Sequence, residues 1–325
     1  MRHSVYRIAA ALAAAIFFSA AYAAEPAKPG LPSLQHPIED LKPAAMLKLG
    51  KTADWVDVTP SAIWVGASGG NAVHAIDPAT RQEIAAVPLP GEACAGLSAR
   101  DGALWVPLCG AGDARGLARI DLPSRSLTRV LPFGPEEEGG VAAGSGFVWI
   151  VTGERQLLQI EAASGKIRRR IVLPPKSFNP LLAENSLWIT NFGGNRLIRL
   201  DPRSGKILGS TPTGPSPRFL TAGAGSIWTL NQGDGSVTRI DAKTGSPLAT
   251  IALGVPGHGG DIAFGDGKVW VTMAGVPLTA IDPATNQPVS QWVGSGGDSL
   301  KVDAGVIWLT DYHGGTVAAI PDPLR

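Results

Sequence analysis

Apolar residues in this chain fall in short runs bounded by Gly, Asn or Asp, and seven of these runs carry a tryptophan: Trp64, Trp105, Trp149, Trp188, Trp228, Trp270 and Trp308. Runs such as Ile63-Trp64-Val65 are apolar on consecutive positions, so both faces of the strand they form must be buried. The tryptophans stand 41, 44, 39, 40, 42 and 38 residues apart. A period near 40 made of short β runs predicts a propeller with one sheet per repeat. The expected fold is all-β, a seven-bladed β-propeller of four-stranded antiparallel blades, in which stacked neighbours cover each sheet on both sides.

Aligned on tryptophan, the repeats share a grammar. Inner strand A ends in a small turn such as Gly265-Asp266-Gly267, strand B carries the indole, a Gly/Asn loop leads to strand C, and an Asp-Pro-x-Thr/Ser turn leads to outer strand D. The Asp closing strand C recurs as Asp77, Asp121, Asp201, Asp241 and Asp282, with Glu161 in the third repeat. These acids lie on separate blades far from the axis, where a turn-initiating carboxylate accepts backbone N–H bonds and the next residue sets φ; they are read as turn residues, not metal ligands. The indoles are read as packing residues.

The last repeat supplies A (Ser299 to Asp303), B (Val306 to Thr310) and C (Thr316 to Ile320) but no D before Arg325. Met46-Leu47-Lys48-Leu49-Gly50 resembles the ends of other D strands, so an N-terminal strand is expected to close the ring and hide its edge. Ahead of it, residues 1–23 read as a signal peptide: Arg2 and Arg7 precede an apolar stretch from Ile8 to Phe18, and Ala21-Tyr22-Ala23 is a small-x-small cleavage pattern. Residues 24–43 hold five prolines without periodicity and read as a Pro-rich extended leader that packs weakly; residues 44–325 are the propeller.

Without residues 1–23 the chain has 26 basic and 27 acidic residues, since two of the 28 basic residues are removed and no acid. This near-neutral balance gives no footprint for nucleic acid or an anionic membrane, and no later segment is long enough to span one. Arg168, Arg169 and Arg170, in an outer strand, are read as a solvated face. The two cysteines flank the turn Asp101-Gly102. A two-residue turn pairs residues whose numbers sum to 203, which sets Cys94 opposite Cys109; in an exported chain this predicts a disulfide.

The pattern apolar-Trp-Val/Ile-Thr-Asn-x-Gly-x-Asn-x-Leu-x-x-Ile/Leu-Asp-Pro-x-Ser/Thr-Gly, clearest from Ser186 to Pro202, resembles the YVTN repeat of YncE-like seven-bladed propellers over about residues 44 to 325. Related to these are the virginiamycin B (streptogramin) lyases, and that likeness implies a magnesium-assisted elimination site at one mouth of the channel. The lyase-like segment Asp-Gly-Asn-Leu-Trp-Phe-Thr-Glu is replaced here by Asp266-Gly267-Lys268-Val269-Trp270-Val271-Thr272-Met273.

The B-to-C loops and D-to-A connections emerge on one face, around the channel mouth, and their polar residues differ from blade to blade. His258, in Pro256-Gly257-His258-Gly259-Gly260-Asp261, is the first candidate for a general base, because the lyases place catalytic histidines in comparable connections; His313, after Asp311 and Tyr312, is the second. Asp261, Asp298 and Glu138 are the candidate ligands for a divalent cation such as Mg2+. Asp54, Asn179, Arg218, Asn191, Asn231 and Tyr312 are the candidate ligand-binding residues. His74, inside strand C, reads as structural, and the Gly-rich loops lack a following helix to receive a phosphate. The sequence therefore predicts a periplasmic or secreted monomer that binds a small molecule or a periplasmic protein at the channel mouth, with a metal-assisted lyase as the alternative.

Overall fold

The computed structural model describes residues 29–325 apart from His258; the signal segment lies outside the described residues. Seven antiparallel sheets follow one another along the chain. Blade 4 shows the plan: A is Ser177–Ala183, B Ser186–Asn191, C Arg196–Leu200 and D Ile207–Pro212. The A strands touch in ring order, and the seventh, Leu300–Asp303, meets the first, Ala53–Thr59, so the rosette is closed. Ala45–Lys48 pairs antiparallel with Thr316–Pro321 as the fourth strand of blade 7.

The seven repeat tryptophans are at most 1 % exposed, and each sits between adjacent sheets. In three of them the indole N–H closes the A–B corner, Trp64 donating to Thr59 Oγ1 (3.3 Å), Trp228 to Gly223 O (3.1 Å) and Trp270 to Gly265 O (3.4 Å), whereas that of Trp188 is buried without a partner among the described residues. Opposite the indole, strand C bolts its blade to the next. Arg239 lies over Trp228 and donates to Pro283 O; Arg199 lies over Trp188 and donates to Lys243 O; Gln159 donates to Pro202 O. A cation stacked on a ring while its N–H groups reach the next blade couples the two sheets.

Two expectations need correction. The leader does pack: Gln35–Pro37 adds a fifth, parallel strand to blade 6 against Gln291–Val293, Leu31 N–H donates to Gln291 Oε1, and Ile38 and Leu41 join the apolar cluster of Trp270, Trp292 and Ala318. Proline content concealed two apolar residues with an uncovered outer strand to cover. The disulfide Cys94–Cys109 is present, with Cα atoms 5.6 Å apart, but its residues are not directly opposite. Ser98 pairs with Trp105, as the turn dictates, whereas Ala93 pairs with Leu108 and Cys94 N–H meets Pro107 O. Pro107 has no N–H to return, strand A leaves the ladder between Ala93 and Ser98, and the sulfurs join diagonally.

Candidate functional site

Strand A of a blade runs down the channel wall, and in blades 1, 4 and 5 it is bulged near its start, between Asp54 and Val56, Ser177 and Pro180, and Pro217 and Phe219. A bulge leaves an unpaired residue whose side chain is re-aimed. Trp55, Phe178, Asn179 and Arg218 occupy these positions. Trp55 adopts φ +55°, a left-handed conformation uncommon for an aromatic residue. Its ring meets Phe219 at 5.7 Å between centroids. The pair borders two cavities, a funnel of about 780 Å³ at the face of the D-to-A and B-to-C connections and a chamber of about 440 Å³ below, so it forms the waist of the channel.

All seven blades line the funnel, from Asp54 and Ser68 of blade 1 to Asp298 and Tyr312 of blade 7, with both cysteines on its wall. Five carboxylates (Asp54, Glu92, Glu137, Glu138 and Asp298) face one guanidinium, Arg218. Arg218 is 6 % exposed, lies 4.2 Å from the centre of the Phe178 ring, and pairs with Glu137 (3.3 Å) and Glu138 (3.4 Å), which reach it from the other side of blade 4. Burial first, and the charge of Asp298 second, push the Asp54 carboxyl well above the usual carboxylate range. Burial and the charge of Asp261 push Asp298 up to about 6, with His313 acting in the opposite sense. Burial and the carboxylates of Glu92, Asp54, Asp298 and Glu138 raise the Tyr312 phenol. Arg218 is engaged with Glu137 and Glu138, and among the described residues no lysine or arginine offsets the charge at Asp54 and Asp298.

The chamber below the waist differs. Burial raises Asp57 and Asp261 as well, but Lys301 opposes the rise in both. Their oxygens bridge blades: Asp57 accepts from Ala99 N–H (2.6 Å), and Asp261 from Ile262 N–H (2.7 Å) and Leu300 N–H (3.4 Å).

The sequence-predicted residues therefore divide. Asp54, Arg218, Tyr312, Asp298 and Glu138 meet in the funnel. Asn179, Asn191 and Asn231 are buried and donate within the wall: Asn179 takes the Gly140 N–H and donates to Arg218 O, Asn191 donates to Pro175 O and Ser177 Oγ, and Asn231 donates to Ser236 Oγ and Thr238 Oγ1 while its Oδ1 has no partner among the described residues. These amides stitch loops to strands. Asp261, Asp298 and Glu138 do not form a ligand set; among the described residues no three His, Cys, Asp or Glu side chains are placed to hold a metal ion. Glu138 turns to Arg218 instead, and Asp261 to backbone amides. His313 is exposed and packs edge-on against Tyr312. His258 lies outside the described residues, although Gly259 and Gly260 line the funnel. His74 holds Glu83 at 2.9 Å, within its own blade.

Sequence reasoning missed Trp55, Phe178 and Phe219. One signal was present: nine tryptophans occur where the repeat requires seven, and Trp55 and Trp292 are the two outside it.

A family model described as the outer membrane protein assembly factor BamB matches residues 69–229, from blade 1 into blade 5. Among solved structures, the crystal structure of BamB from Moraxella catarrhalis is similar at 11 % identity and a TM-score of 0.62, over 86 % of this chain and 99 % of that chain. That likeness shows a shared propeller fold. No curated protein matches the chain. The matched repeat family is a different one from the YVTN repeat, and the lyase reading gains no support from it.

Proposed function

We propose that this chain is an extracytoplasmic propeller, periplasmic or secreted, that holds a protein partner at its funnel rather than transforming a substrate. The observation that carries this reading is the funnel itself: open above, narrowed below by Trp55 and Phe219, and lined by five carboxylates against a single guanidinium already paired with two of them. Such a wall is complementary to a basic segment whose aliphatic stems rest on the aromatic waist. Cys94–Cys109 fits an oxidising compartment. The matched family's description as an assembly factor also points to a task performed on other proteins outside the cytoplasm.

Trp55 is the one tryptophan among the funnel-lining residues, so its emission reports on the site. A lysine-rich peptide is expected to change tryptophan emission at neutral pH and a glutamate-rich peptide to leave it unchanged. Binding should weaken as pH falls through about 6, where Asp298 takes up its proton, and in the double variant Asp54→Asn/Asp298→Asn. An equal emission change with both peptides, or an undiminished change with the lysine-rich peptide in that variant, would remove the basis of the reading. Stabilisation by Mg2+ that His258→Ala abolishes would return the lyase to contention.

A further inference from the structure

Blade 6 accepts a fifth strand, and the feature that allows it is missing from most other blades. The leader strand pairs with Gln291–Val293. Through the pairing of strands C and D, the corresponding residues are 86–88 in blade 1, 130–132 in blade 2, 170–172 in blade 3, 210–212 in blade 4 and 250–252 in blade 5. Blades 1, 2 and 4 end this stretch in Pro88, Pro132 and Pro212, which offer no N–H to an incoming strand. Proline on an outer strand is a recognised guard against edge pairing. Just past this stretch in blade 5 the leader is already present, since Gly30 N–H donates to Gly254 O. In blade 7 the outer strand is the N-terminal Ala45–Lys48 itself.

Blade 3 has neither a proline in this stretch nor, among the described residues, a leader contact at its end. Its stretch is Arg170-Ile171-Val172, without proline, and Val172 is 65 % exposed. A bulge opposite Gln159 and Ile160 makes Arg168 the extra residue, so that Arg168, Arg169 and Arg170 are all exposed along one edge. Among the described residues none of the three makes an ion pair; Arg170 donates to Gln156 Oε1. The adjoining acid, Glu161, holds Ser164 Oγ in its own turn.

We propose that the outer edge of blade 3 is a docking edge for an extended acidic segment of another protein, which adds as a fifth strand as the leader does on blade 6. Main-chain hydrogen bonds to residues 170–172 would supply the addition, and Arg168, Arg169 and Arg170 the choice of partner. A second copy of this chain added through the same edge would set arginine beside arginine, which charge repulsion opposes. An anionic membrane would take the arginines but has no use for an unguarded strand edge.

A fluorescein-labelled extended peptide of alternating Glu and Val, titrated against the full chain by anisotropy, tests this directly. The acidic peptide is expected to bind and to lose that binding with the edge variants below, whereas any binding of its Lys-Val counterpart, which the funnel carboxylates attract, should be indifferent to them. Val172→Pro, which copies the guard of blades 1, 2 and 4, and Arg168→Glu/Arg169→Glu should each weaken binding by roughly tenfold or more, a difference of about 1.4 kcal/mol. Amide hydrogen exchange of the unaltered chain should show new protection at residues 170–172 with the peptide present, a readout that does not depend on how the variants fold. Unchanged exchange there, or acidic-peptide binding unaffected by Val172→Pro in a folded variant, would overturn the proposal. Binding to phosphatidylglycerol vesicles with no binding of the peptide would replace it with a membrane surface.

Discussion

Aspartates occupy two regions of this ring and behave in opposite ways. At the outer C–D turns, Asp77, Asp121, Asp201 and Asp241 accept hydrogen bonds from the next residues, and these bonds hold their carboxyls below the ordinary range. At the axis, Asp54 and Asp298 are pushed upward by burial first and then by a neighbouring carboxylate, Asp298 for Asp54 and Asp261 for Asp298. The outer acids satisfy a local rule, because every donor they need lies within three residues in sequence. The axial acids obey none; ring closure sets Asp54 of the first blade near Asp298 of the seventh. The wall is therefore built from repeated, self-satisfied parts, and the mouth from residues that accept an electrostatic cost.

The bluntest way to break this contrast is to compare the two regions by truncation. Trp270→Ala, within the wall and fully buried, should cost about 3–5 kcal/mol through lost burial and a cavity between blades. Tyr312→Ala, 38 % exposed at the mouth, should stay within about 0.5 kcal/mol. Urea denaturation checks both, and similar losses would show that mouth and wall are not energetically distinct.

Cys94–Cys109 stands where the two regions meet, tying a broken inner strand to strand B on the funnel wall. Its reduction should lower stability by about 3 kcal/mol, the expectation for a loop of this length. Peptide binding at the funnel should fall with it, because Glu92 is released from its strand. Stability lost without any change in binding would assign the bond to the wall alone.

Asp298→Asn sharpens the contrast by pH. A carboxyl whose folded pKa is raised binds its proton more tightly in the folded chain, so stability is greatest below the unfolded value and falls as pH rises toward about 6. The variant escapes that fall. It should be more stable than the natural chain by about 1–3 kcal/mol above this window and should lose the advantage below about pH 4. Thermal melts across this range decide it.

Legibility in the sequence followed the same division. The indole period, the Asp-x-x-Ser/Thr turns and the N-terminal closing strand could be read because each is local or repeated. Asn191 and Asn231 both end strand B, at the same place in the repeat, so their recurrence already pointed to the structural hydrogen bonds they make. Trp55 was harder. A strand bulge re-aims its side chain, and a bulge shifts the alternation on which face assignment depends. The leader failed for another reason: Ile38 and Leu41 acquire a partner only once blade 6 exists.

The smallest expected effect, Asp241→Ala, has the opposite pH signature. The carboxylate accepts from Lys243 N–H (3.0 Å), Thr244 N–H (2.6 Å) and Thr244 Oγ1 (2.8 Å), all at the solvent-facing surface. Because its folded pKa is lowered, the stability it confers is present above the unfolded value and is lost as pH falls through the folded one. Asp241→Ala should therefore melt slightly earlier than the natural chain at neutral pH, and the gap should close in acid. Measured beside Asp298→Asn, the two variants should depart from the natural chain in opposite directions at neutral pH and both approach it in acid. A shared direction would mean that burial, not hydrogen bonding, governs both sets of aspartates.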